Sequence, residues 1–489
     1  MHNEQIFTPD WVVNMMLNKI GYIPSNDIHH KHIIDNSCGD GAFLCEIVDR
    51  FIKKGIVDDI SSTDLKHLME THIHGIEIDN NLCAKTIGNL NKVASKYSIT
   101  NVKWDIVNKD AIDCKEYWYK MDYVVGNPPY CRIQDVPEDK REKYKAFCFF
   151  AEEDNKRPKG AFDSYMLFFN IGIRMLSKTG KLSYITPSSW TTNLYGNSFR
   201  EYLTDEKALE YIIDMGHTKV FDKATTFTMI TGIGNFHRNE TTPVFRYNEE
   251  KKTLDLINNV NVNDYLIDKK FYFKNNDTLN TLRHINDADT SIEKVFTVKN
   301  GFATLNDKLF IGDTSEMCGI LDDPNIIFCT KASKDILQSI IYPYDKNGKS
   351  VKFEELSKPI QTKLLERAKK LEIDTTKENW YLYGRSQAIN DVRRSKYAIN
   401  NLIKTKDDIK LNYYTSGFGV YSGFYILNKW NYNTGSHAHE FIKETLNSDE
   451  FVNYIHSLGR YKNGGFSTFT TKELEKYLNF KWKERKISF

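Results

Sequence analysis

The stretch that most constrains this 489-residue chain is 121–130, which reads MDYVVGNPPY. Its first five residues are largely apolar and predict a buried strand. Two consecutive prolines, Pro128 and Pro129, then fix their own φ angles and remove two backbone donors, and they hold Asn127 in an extended conformation. The strand therefore ends in a rigid, non-helical corner. An asparagine amide, open carbonyls and the Tyr130 ring at such a corner suit a planar, hydrogen-bonding ligand such as a nucleobase, although a loop that only turns the chain would also explain it.

Length and composition limit the class of protein. A chain of 489 residues is too long for one ordinary core, so two domains are expected. The formal net charge is only +2, so nucleic-acid binding would depend on where the charge lies. No apolar run is long enough to span a membrane, and the first residues lack the features of a signal peptide. The eight cysteines form no CxxC pair. We therefore expect a cytoplasmic protein with reduced thiols, no membrane contact and no metal site.

A glycine-containing turn follows the first predicted strand. That strand ends at Asp35, Asn36-Ser37-Cys38-Gly39-Asp40-Gly41 comes next, and a helix is predicted from Ala42. Such a strand, turn and helix let a ligand approach the backbone closely at a helix N-terminus. The turn is not the dinucleotide fingerprint, because the third glycine of that pattern would fall at Leu44. A purely structural turn would explain the Gly-x-Gly spacing by itself.

Polar residues follow four successive predicted strands. Glu77 ends the second strand, where a ribose diol is held in folds of this kind. Asp110 follows the third strand, and an Asp before a small residue such as Ala111 can bond an adenine amino group while leaving room for the ring. Asp35 and Asn127 follow the first and fourth strands. Because ligands of doubly wound sheets bind beyond the carboxyl ends of the strands, these residues predict one crevice.

The alternation of elements predicts a doubly wound α/β sheet of seven strands. A first helix is expected with Thr8 as its N-cap and Pro9 as its first residue, and its apolar stripe is formed by Val12, Met15, Met16 and Ile20. His72 and His74 alternate along the second strand, which favours a shared structural face over a metal site. The seven strands are predicted at residues 32–35, 72–76, 102–106, 121–125, 181–185, 208–215 and 227–236.

Together these residues resemble the gamma class of DNA adenine-N6 methyltransferases, type II enzymes of restriction–modification systems. Asn127-Pro128-Pro129-Tyr130 matches the catalytic tetrapeptide of that class. Four segments are similar to the cofactor motifs of that class: Thr8-Pro9, residues 35–44, Gly75-Ile76-Glu77-Ile78-Asp79 and Asp110-Ala111. Two segments resemble its later motifs: Asp163-Ser164-Tyr165 and Val220-Phe221-Asp222-Lys223-Ala224. The match covers residues 5 to about 235 in the gamma order. It departs at Asn36, where a proline is usual, and in a crossover lengthened by residues 54–70.

The resemblance implies S-adenosyl-L-methionine as cofactor and adenine as the methylated base. Its catalytic residues would be Asn127, Pro128, Pro129 and Tyr130. Asn127 and Pro128 would accept the two hydrogens of the adenine amino group, so that the nitrogen lone pair points at the methyl group. Tyr130 would stack on the flipped base, and Phe221 would cover its opposite edge or face, or else be a core aromatic. The cofactor-binding residues implied are Thr8, Pro9, Asp35, Ser37, Cys38, Gly39, Gly41, Glu77, Ile78, Asp110, Ala111 and Asn127.

The residue pattern changes after residues 276–290, where short predicted strands, glycines and aromatic residues expected to be exposed become frequent. We expect a catalytic domain over residues 1–275 and a mixed α+β target-recognition domain over residues 286–489. Basic side chains interleaved with aromatics on loops can contact phosphates and base edges, although a solvated surface would explain each of them singly. The residues predicted to contact DNA are Arg385, Arg393, Arg394 and Arg460.

The expected partner is double-stranded DNA, together with a separately encoded restriction endonuclease that acts on the same sequence. We expect a monomer, and the start of the motifs at residue 5 leaves no room for an N-terminal nuclease. Two alternatives remain open. The same tetrapeptide occurs in enzymes that methylate other planar nitrogens, in ribosomal RNA guanine or protein glutamine. A DNA-binding module with an inactive methyltransferase fold is the other.

Overall fold

The computed structural model describes residues 8–148, 162–221, 227–288, 294–429 and 437–487. The chain divides into two units, Met1–Asn280 and Thr281–Phe489. The division falls inside a helix, Asn276–Ala288. Within the described ranges, no helix combines the length and the apolar character needed to cross a membrane.

A mixed sheet forms the centre of the first unit. Its strands are β1 (Ile33–Asp35), β2 (Ile73–Glu77), β3 (Asp105–Asn108), β4 (Met121–Gly126), β5 (Leu176–Pro187), β6 (Leu209–Asp214), β7 (Thr228–Ile233), β8 (Thr242–Asn248) and β9 (Thr253–Val260). Their order in the sheet is β3-β2-β1-β4-β5-β7-β6-β8-β9. Neighbouring strands from β3 to β5 run parallel, whereas β7 runs antiparallel to both of its neighbours.

The described sheet has nine strands, so the predicted number of seven is wrong. Each predicted strand segment overlaps one of β1 to β7. The additional strands, β8 and β9, pair with each other antiparallel at one end of the sheet. Every residue of β9 is exposed or half-buried.

Helices surround this sheet and close its core. They are α1 (Asp10–Ile20), α2 (Ala42–Val57), α3 (Ser62–His72), α4 (Asn80–Ser95), α5 (Glu138–Phe147), α6 (Ser164–Met175), α7 (Asn197–Asp205) and α8 (Asn276–Ala288), with a small hairpin of β10 (Leu266–Ile267) and β11 (Lys270–Phe271). Val12, Met16 and Ile47 from α1 and α2 are fully buried in one apolar cluster with Ile33 and Ile185. Burial of this kind, at about 25 cal/mol per Å² of apolar surface, holds the helices against the sheet.

Two local predictions differ from the structure. Helix α1 begins at Asp10, and its N-cap is Pro9 rather than Thr8. Pro9 has an extended ψ of 145°, so it lies outside the helix, and the Thr8 hydroxyl instead accepts a hydrogen bond from Asn127. His72 ends helix α3 and does not belong to the strand. Only His74 lies in β2, where it bonds to a carboxylate oxygen of Asp105.

The second unit contains three small sheets. Its strands are β12 (Phe296–Asn300), β13 (Ile311–Gly312), β14 (Ile326–Lys331), β15 (Ile336–Ile341), β16 (Lys396–Ile399), β17 (Leu402–Ile403), β18 (Leu411–Tyr414), β19 (Phe418–Tyr421), β20 (Phe424–Asn428), β21 (Tyr461–Lys462) and β22 (Phe466–Thr468). Its further helices are α9 (Asp307–Phe310), α10 (Lys358–Lys370), α11 (His437–Leu446), α12 (Asp449–Ser457) and α13 (Thr471–Ile487). The sheet orders are β12-β20-β16-β18, β13-β15-β14-β19 and β17-β22-β21.

The aromatic residues of the second unit are more buried than the sequence suggested. Tyr381 and Tyr383, expected on an exposed loop, lie in the apolar core with Phe302 and Phe310. The Tyr383 hydroxyl donates to the carbonyl of Ile341 at 2.8 Å. These rings therefore hold the fold together, because a buried tyrosine contributes apolar area once its hydroxyl has a partner.

Candidate active site

The carboxyl ends of four parallel strands lie at one edge of the sheet. Asp35 at the end of β1 is in register with Gly75 of β2 and with Val125 of β4. Glu77 at the end of β2 is in register with Asn108 at the end of β3. Asp110 lies two residues after the end of β3, and Asn127 directly follows β4. The structure thus brings together the four polar residues that follow these strands.

The glycine turn after β1 is fixed by the carboxylate at the end of β2. Gly39 donates its N–H to Glu77 Oε2 at 2.9 Å, and Asp79 donates its N–H to Oε1 of the same side chain at 2.9 Å. Gly41, at a φ of +89°, is the N-cap of α2, a conformation that favours glycine. Burial raises the pKa of the Glu77 carboxyl, although the backbone N–H groups favour its charged form.

Helix α4 holds the same turn from the other side. Thr86 donates its hydroxyl to the Gly39 carbonyl at 2.7 Å, and the Asn89 amide donates to the Asp40 carbonyl at 2.9 Å. Sequence reasoning missed both residues. Their spacing of three on an amphipathic helix marks them as neighbours on one face, but nothing local shows what that face contacts.

Asp35 and Ser37 connect the turn with the corner after β4. Ser37 donates its N–H to Asp35 Oδ1 at 3.1 Å. A Cβ atom on Gly126 would lie 2.8 Å from Asp35 Oδ1 and 3.7 Å from Ser37 Oγ, so only glycine fits there. Burial raises the pKa of Asp35 to about 7. The Ser37 hydroxyl oxygen is buried and finds no hydrogen-bond partner among the described residues.

The Asn127 amide is held at both of its polar atoms. Its Nδ2 donates to Thr8 Oγ1 at 3.2 Å, and its Oδ1 accepts from the Tyr130 hydroxyl at 2.5 Å. The same hydroxyl lies 3.0 Å from the Ile185 carbonyl. The Asn127 oxygen was expected to be open for a ligand, but Tyr130 uses one of its two lone pairs and leaves the other. Among the described residues, no donor bonds to the Pro128 carbonyl.

The corner is fastened from behind by Ser164, the first residue of α6. Its hydroxyl donates to the Pro129 carbonyl and accepts from the Cys131 N–H at 3.1 Å. Its own N–H donates to the Cys131 carbonyl at 2.8 Å. Ser164 is only 3% exposed. Of the two Pro-Pro carbonyls, one is thus taken by Ser164 and the other, on Pro128, stays open.

Two aromatic rings lie at the edges of the Tyr130 ring. The Tyr130 and Phe221 centroids are 6.4 Å apart with an interplanar angle of 63°, and the Tyr130 and Tyr165 centroids are 6.3 Å apart at 87°. Phe221 is only 3% exposed and belongs to the apolar core cluster. The rings of Tyr130 and Phe221 are therefore not arranged as parallel walls. Asp222-Lys223-Ala224, which completes that predicted motif, lies outside the described residues.

Asp110 lies beside a residue that the sequence did not identify. Its Oδ1 accepts from the Ile112 N–H at 3.3 Å, which caps a short 3-10 turn. Its Oδ2 accepts from the Tyr144 hydroxyl of α5 at 2.6 Å. Of two other residues predicted to bind the cofactor, Ala111 is buried beside Asp110, whereas Ile78 is 53% exposed.

The four arginines predicted to contact DNA fall into two pairs. Arg385 and Arg393 are exposed. Arg394 donates to the Asn428 carbonyl at 3.0 Å, and Arg460 pairs at 3.2 Å with Glu473, which is 5% exposed. Arg394 and Arg460 thus have structural partners within the second unit, and the exposed pair is better suited to meet a ligand.

Comparisons with known proteins agree with this geometry. Residues 46–221 match the model of the Eco57I restriction-modification methylase family. The chain is 26% identical over 234 residues to the type II methyltransferase M.BstVI of Geobacillus stearothermophilus, covering 45% of this chain and 40% of that protein. It is 23% identical over 458 residues to the type II restriction enzyme and methyltransferase RM.Eco57I of Escherichia coli, covering 75% of this chain and 45% of that protein. The chain thus spans less than half the length of either relative.

Solved structures show the same fold. The type IIL restriction-modification enzyme MmeI in complex with DNA aligns with a TM-score of 0.59 and 12% identity, covering 94% of this chain and 64% of that one. The DrdV–DNA complex aligns with a TM-score of 0.53 and 11% identity, covering 98% of this chain and 57% of that one. The family match and the type II relatives confirm the resemblance to restriction–modification methyltransferases, and the match to the Eco57I restriction-modification methylase family covers residues 46–221 of this chain.

Proposed function

We propose that this chain is a site-specific DNA methyltransferase that transfers a methyl group from S-adenosyl-L-methionine to the N6 amino group of an adenine in double-stranded DNA. The observation that carries the proposal is the corner at Asn127, whose amide is fixed by Thr8 and Tyr130 beside the open Pro128 carbonyl. This corner shares an edge of the sheet with Asp35 and its buried carboxylate.

The residues along this edge fit the cofactor by their chemistry. The Ser37 hydroxyl, buried without a partner, is a polar atom that a ligand would satisfy. Asp35 offers a carboxylate to an ammonium group, and Glu77 offers acceptor oxygens to a ribose diol. Asp110 offers acceptors to an adenine amino group, and Gly126 lets the backbone after β4 lie close to the Asp35 carboxylate, where any Cβ would collide. When bound, S-adenosyl-L-methionine supplies an electrophilic methyl group on a sulfonium.

The corner residues would prepare the adenine nitrogen for attack. Its lone pair is delocalised into the ring, so the free amino group is a poor nucleophile. The remaining lone pair of Asn127 Oδ1 and the Pro128 carbonyl would accept the two amino hydrogens and draw the nitrogen towards a tetrahedral geometry. As positive charge develops on the nitrogen, both oxygens stabilise it from fixed positions. Ser164 keeps the Pro128–Pro129 backbone in place for this task.

Access to the amino group inside a duplex requires the adenine to leave the base stack. The half-buried Tyr130 ring would stack on the flipped base. Because the Phe221 ring is tilted by 63° from the Tyr130 ring, it would contact an edge of that base and not its opposite face. Relatives of the chain include type II methyltransferases, and two structural neighbours were solved with DNA. We extend DNA binding to this chain, with the exposed Arg385 and Arg393 as contacts in a target-recognition domain, and a separately encoded endonuclease as a genetic partner.

Replacement of Asn127 tests the reaction. Asn127→Ala removes one acceptor for the amino group and leaves Asp35, Glu77 and Asp110 in place. We expect methyl transfer to fall by at least about 10³-fold, while the Kd for S-adenosyl-L-methionine changes by less than about threefold. Labelled cofactor incubated separately with duplex DNA, RNA and protein measures the transfer. Label on RNA or protein but not on DNA would select another planar nitrogen, and wild-type turnover in the variant would refute the mechanism.

Replacement of Tyr130 separates its ring from its hydroxyl. Tyr130→Phe keeps the aromatic face but frees the Asn127 amide from its donor, so kcat should fall by about tenfold, in line with the loss of one hydrogen bond. Tyr130→Ala should also weaken binding of DNA that carries an unpaired target base, because base stacking is worth about 1–3 kcal/mol. If Tyr130→Phe turns over like the wild type, the hydroxyl has no part in orienting the amide.

A further inference from the structure

A tyrosine on helix α5 occupies the space beside Asp110. The Tyr144 hydroxyl donates to Asp110 Oδ2 at 2.6 Å, the length of a charge-assisted bond. The neighbouring Lys143 bonds to both carboxylate oxygens of Asp113 at 2.7 Å. Two successive side chains of α5 thus reach the short turn that begins with Asp110.

Helix α5 is also held by Arg141, whose guanidinium donates to the carbonyls of Gln134 and Val136. None of its residues is buried. Its last residue, Phe147, packs near Trp118 with a centroid distance of 6.1 Å, and the Arg174 guanidinium lies 4.8 Å from the Phe147 ring. The Lys143 pair is exposed to solvent, and pairs of that kind contribute little. Together with these contacts of the helix, the hydrogen bond to Asp110 fixes the Tyr144 ring next to the carboxylate.

A ligand amino group that bonds to Asp110 has to share the carboxylate with Tyr144. Oδ1 already accepts from the Ile112 N–H and Oδ2 from the Tyr144 hydroxyl. Each oxygen keeps one further lone pair, so an unsubstituted amino group still finds an acceptor. A substituent on that amino group would compete for the space beside the carboxylate that the Tyr144 side chain already occupies.

We propose that Tyr144 is a specificity-determining residue for the cofactor: its ring closes the side of the Asp110 carboxylate and excludes adenine rings that carry a substituent on N6. This inference rests on the proposed function, because it takes Asp110 as the acceptor for the cofactor's adenine. The hydroxyl and the ring have separable roles. The hydroxyl orients the carboxylate, and the ring fills the space beside it.

Isothermal titration calorimetry on the full chain tests both roles with two ligands, S-adenosyl-L-methionine and its N6-benzyl analogue. The wild type should bind the first and discriminate against the second by at least about 100-fold. Tyr144→Ala should bind the benzyl analogue at least about tenfold more tightly than the wild type does. Tyr144→Phe keeps the ring, so it should exclude the analogue as the wild type does and bind S-adenosyl-L-methionine about three- to tenfold more weakly.

Lys143→Ala is the matched control, because it removes the bonds from the adjacent residue of the same helix to Asp113 and leaves the bond between Tyr144 and Asp110 in place. It should leave the ratio of the two affinities unchanged. The inference is overturned if Tyr144→Ala excludes the analogue as strongly as the wild type, or if Lys143→Ala relaxes the ratio equally. A wild type that binds no S-adenosyl-L-methionine would overturn the proposed function, whereas failure of the inference alone leaves that binding intact.

Discussion

The Asp35 carboxyl is buried, so its ionised form destabilises the folded protein, and Asp35→Asn removes the ionisable group. The residue is 2% exposed. Its Oδ1 accepts a single backbone hydrogen bond, from Ser37. Burial raises its pKa from 3.8 to about 7, with the nearby Glu77 carboxylate adding to the effect. Asparagine has nearly the same shape and keeps an oxygen for the Ser37 N–H, but it carries no charge at any pH.

The magnitude follows from the pKa difference. Each unit of difference between folded and unfolded states corresponds to about 1.4 kcal/mol. Because the folded pKa of Asp35 is raised, the unfolded chain loses its proton first, and the contribution of the group to stability falls as the pH rises from about 4 to about 7. From 3.8 to about 7 this amounts to about 4 kcal/mol. Asp35→Asn should therefore stabilise the ligand-free protein by about 2 kcal/mol at pH 5 and by about 4 kcal/mol at pH 8.

Differential scanning calorimetry of both proteins at pH 5 and pH 8 measures this difference. Asp214→Asn is a control of opposite sign. Burial alone would raise the Asp214 pKa, but the positive charges of Lys274 and Arg246 and the bonds from Arg246 and Gly216 lower it. The stability that Asp214 contributes is therefore present above about pH 4 and is lost only in more acidic solution. Its replacement should destabilise the protein equally at pH 5 and pH 8.

A gain from Asp35→Asn that does not change between pH 5 and pH 8 would refute the reasoning, because it would show that Asp35 is not a buried carboxyl with a raised pKa. The Asp35 carboxylate of the wild type should also affect how the affinity for the cofactor depends on pH. If it pairs with the ammonium group of S-adenosyl-L-methionine, the affinity of the wild type for this ligand should increase between pH 6 and pH 8. In Asp35→Asn that increase should be absent.

Two further predictions concern positioning and DNA contact. Ser164→Ala removes the hydroxyl partner of the Pro129 carbonyl and the Cys131 N–H, so it should cost about 1–3 kcal/mol of stability. It should also lower kcat without changing the Kd for S-adenosyl-L-methionine measured by calorimetry. An unaltered kcat would show that Ser164 only stabilises the fold. Arg393→Gln should weaken DNA binding and reduce the slope of log K against log salt by about 1. Arg460→Gln should leave that slope unchanged and lower stability by about 1–3 kcal/mol, because it removes the charged partner of Oε1 of the buried Glu473 carboxylate. Equal slopes in the two variants would show that Arg393 does not contact DNA.

Features with a local signature could be predicted from the sequence. The apolar run before Asn-Pro-Pro-Tyr predicted strand β4 and its rigid end, since proline acts on its own backbone and on the residue before it. The glycine turn after Asp35 was predicted because a strand, two glycines and a helix follow one another directly. The order of β1 to β4 then brings Asp35, Glu77 and Asn127 to one edge, as expected from the rule that parallel strands end at the same side.

Contacts between distant segments were decided only by the tertiary structure. Thr8 bonds to Asn127 across 119 positions, and Tyr144 bonds to Asp110 across 34. No local periodicity records such a pair, because either residue alone is compatible with many surroundings. The same reason separates the arginines, since nothing in the local sequence of Arg393 or Arg460 shows that only Arg460 pairs with a buried carboxylate, which lies 13 positions away. The sequence alone determined which chemical groups follow each strand, and only the tertiary structure decided which partners hold them, because hydrogen bonds and burial depend on atoms from several segments at once.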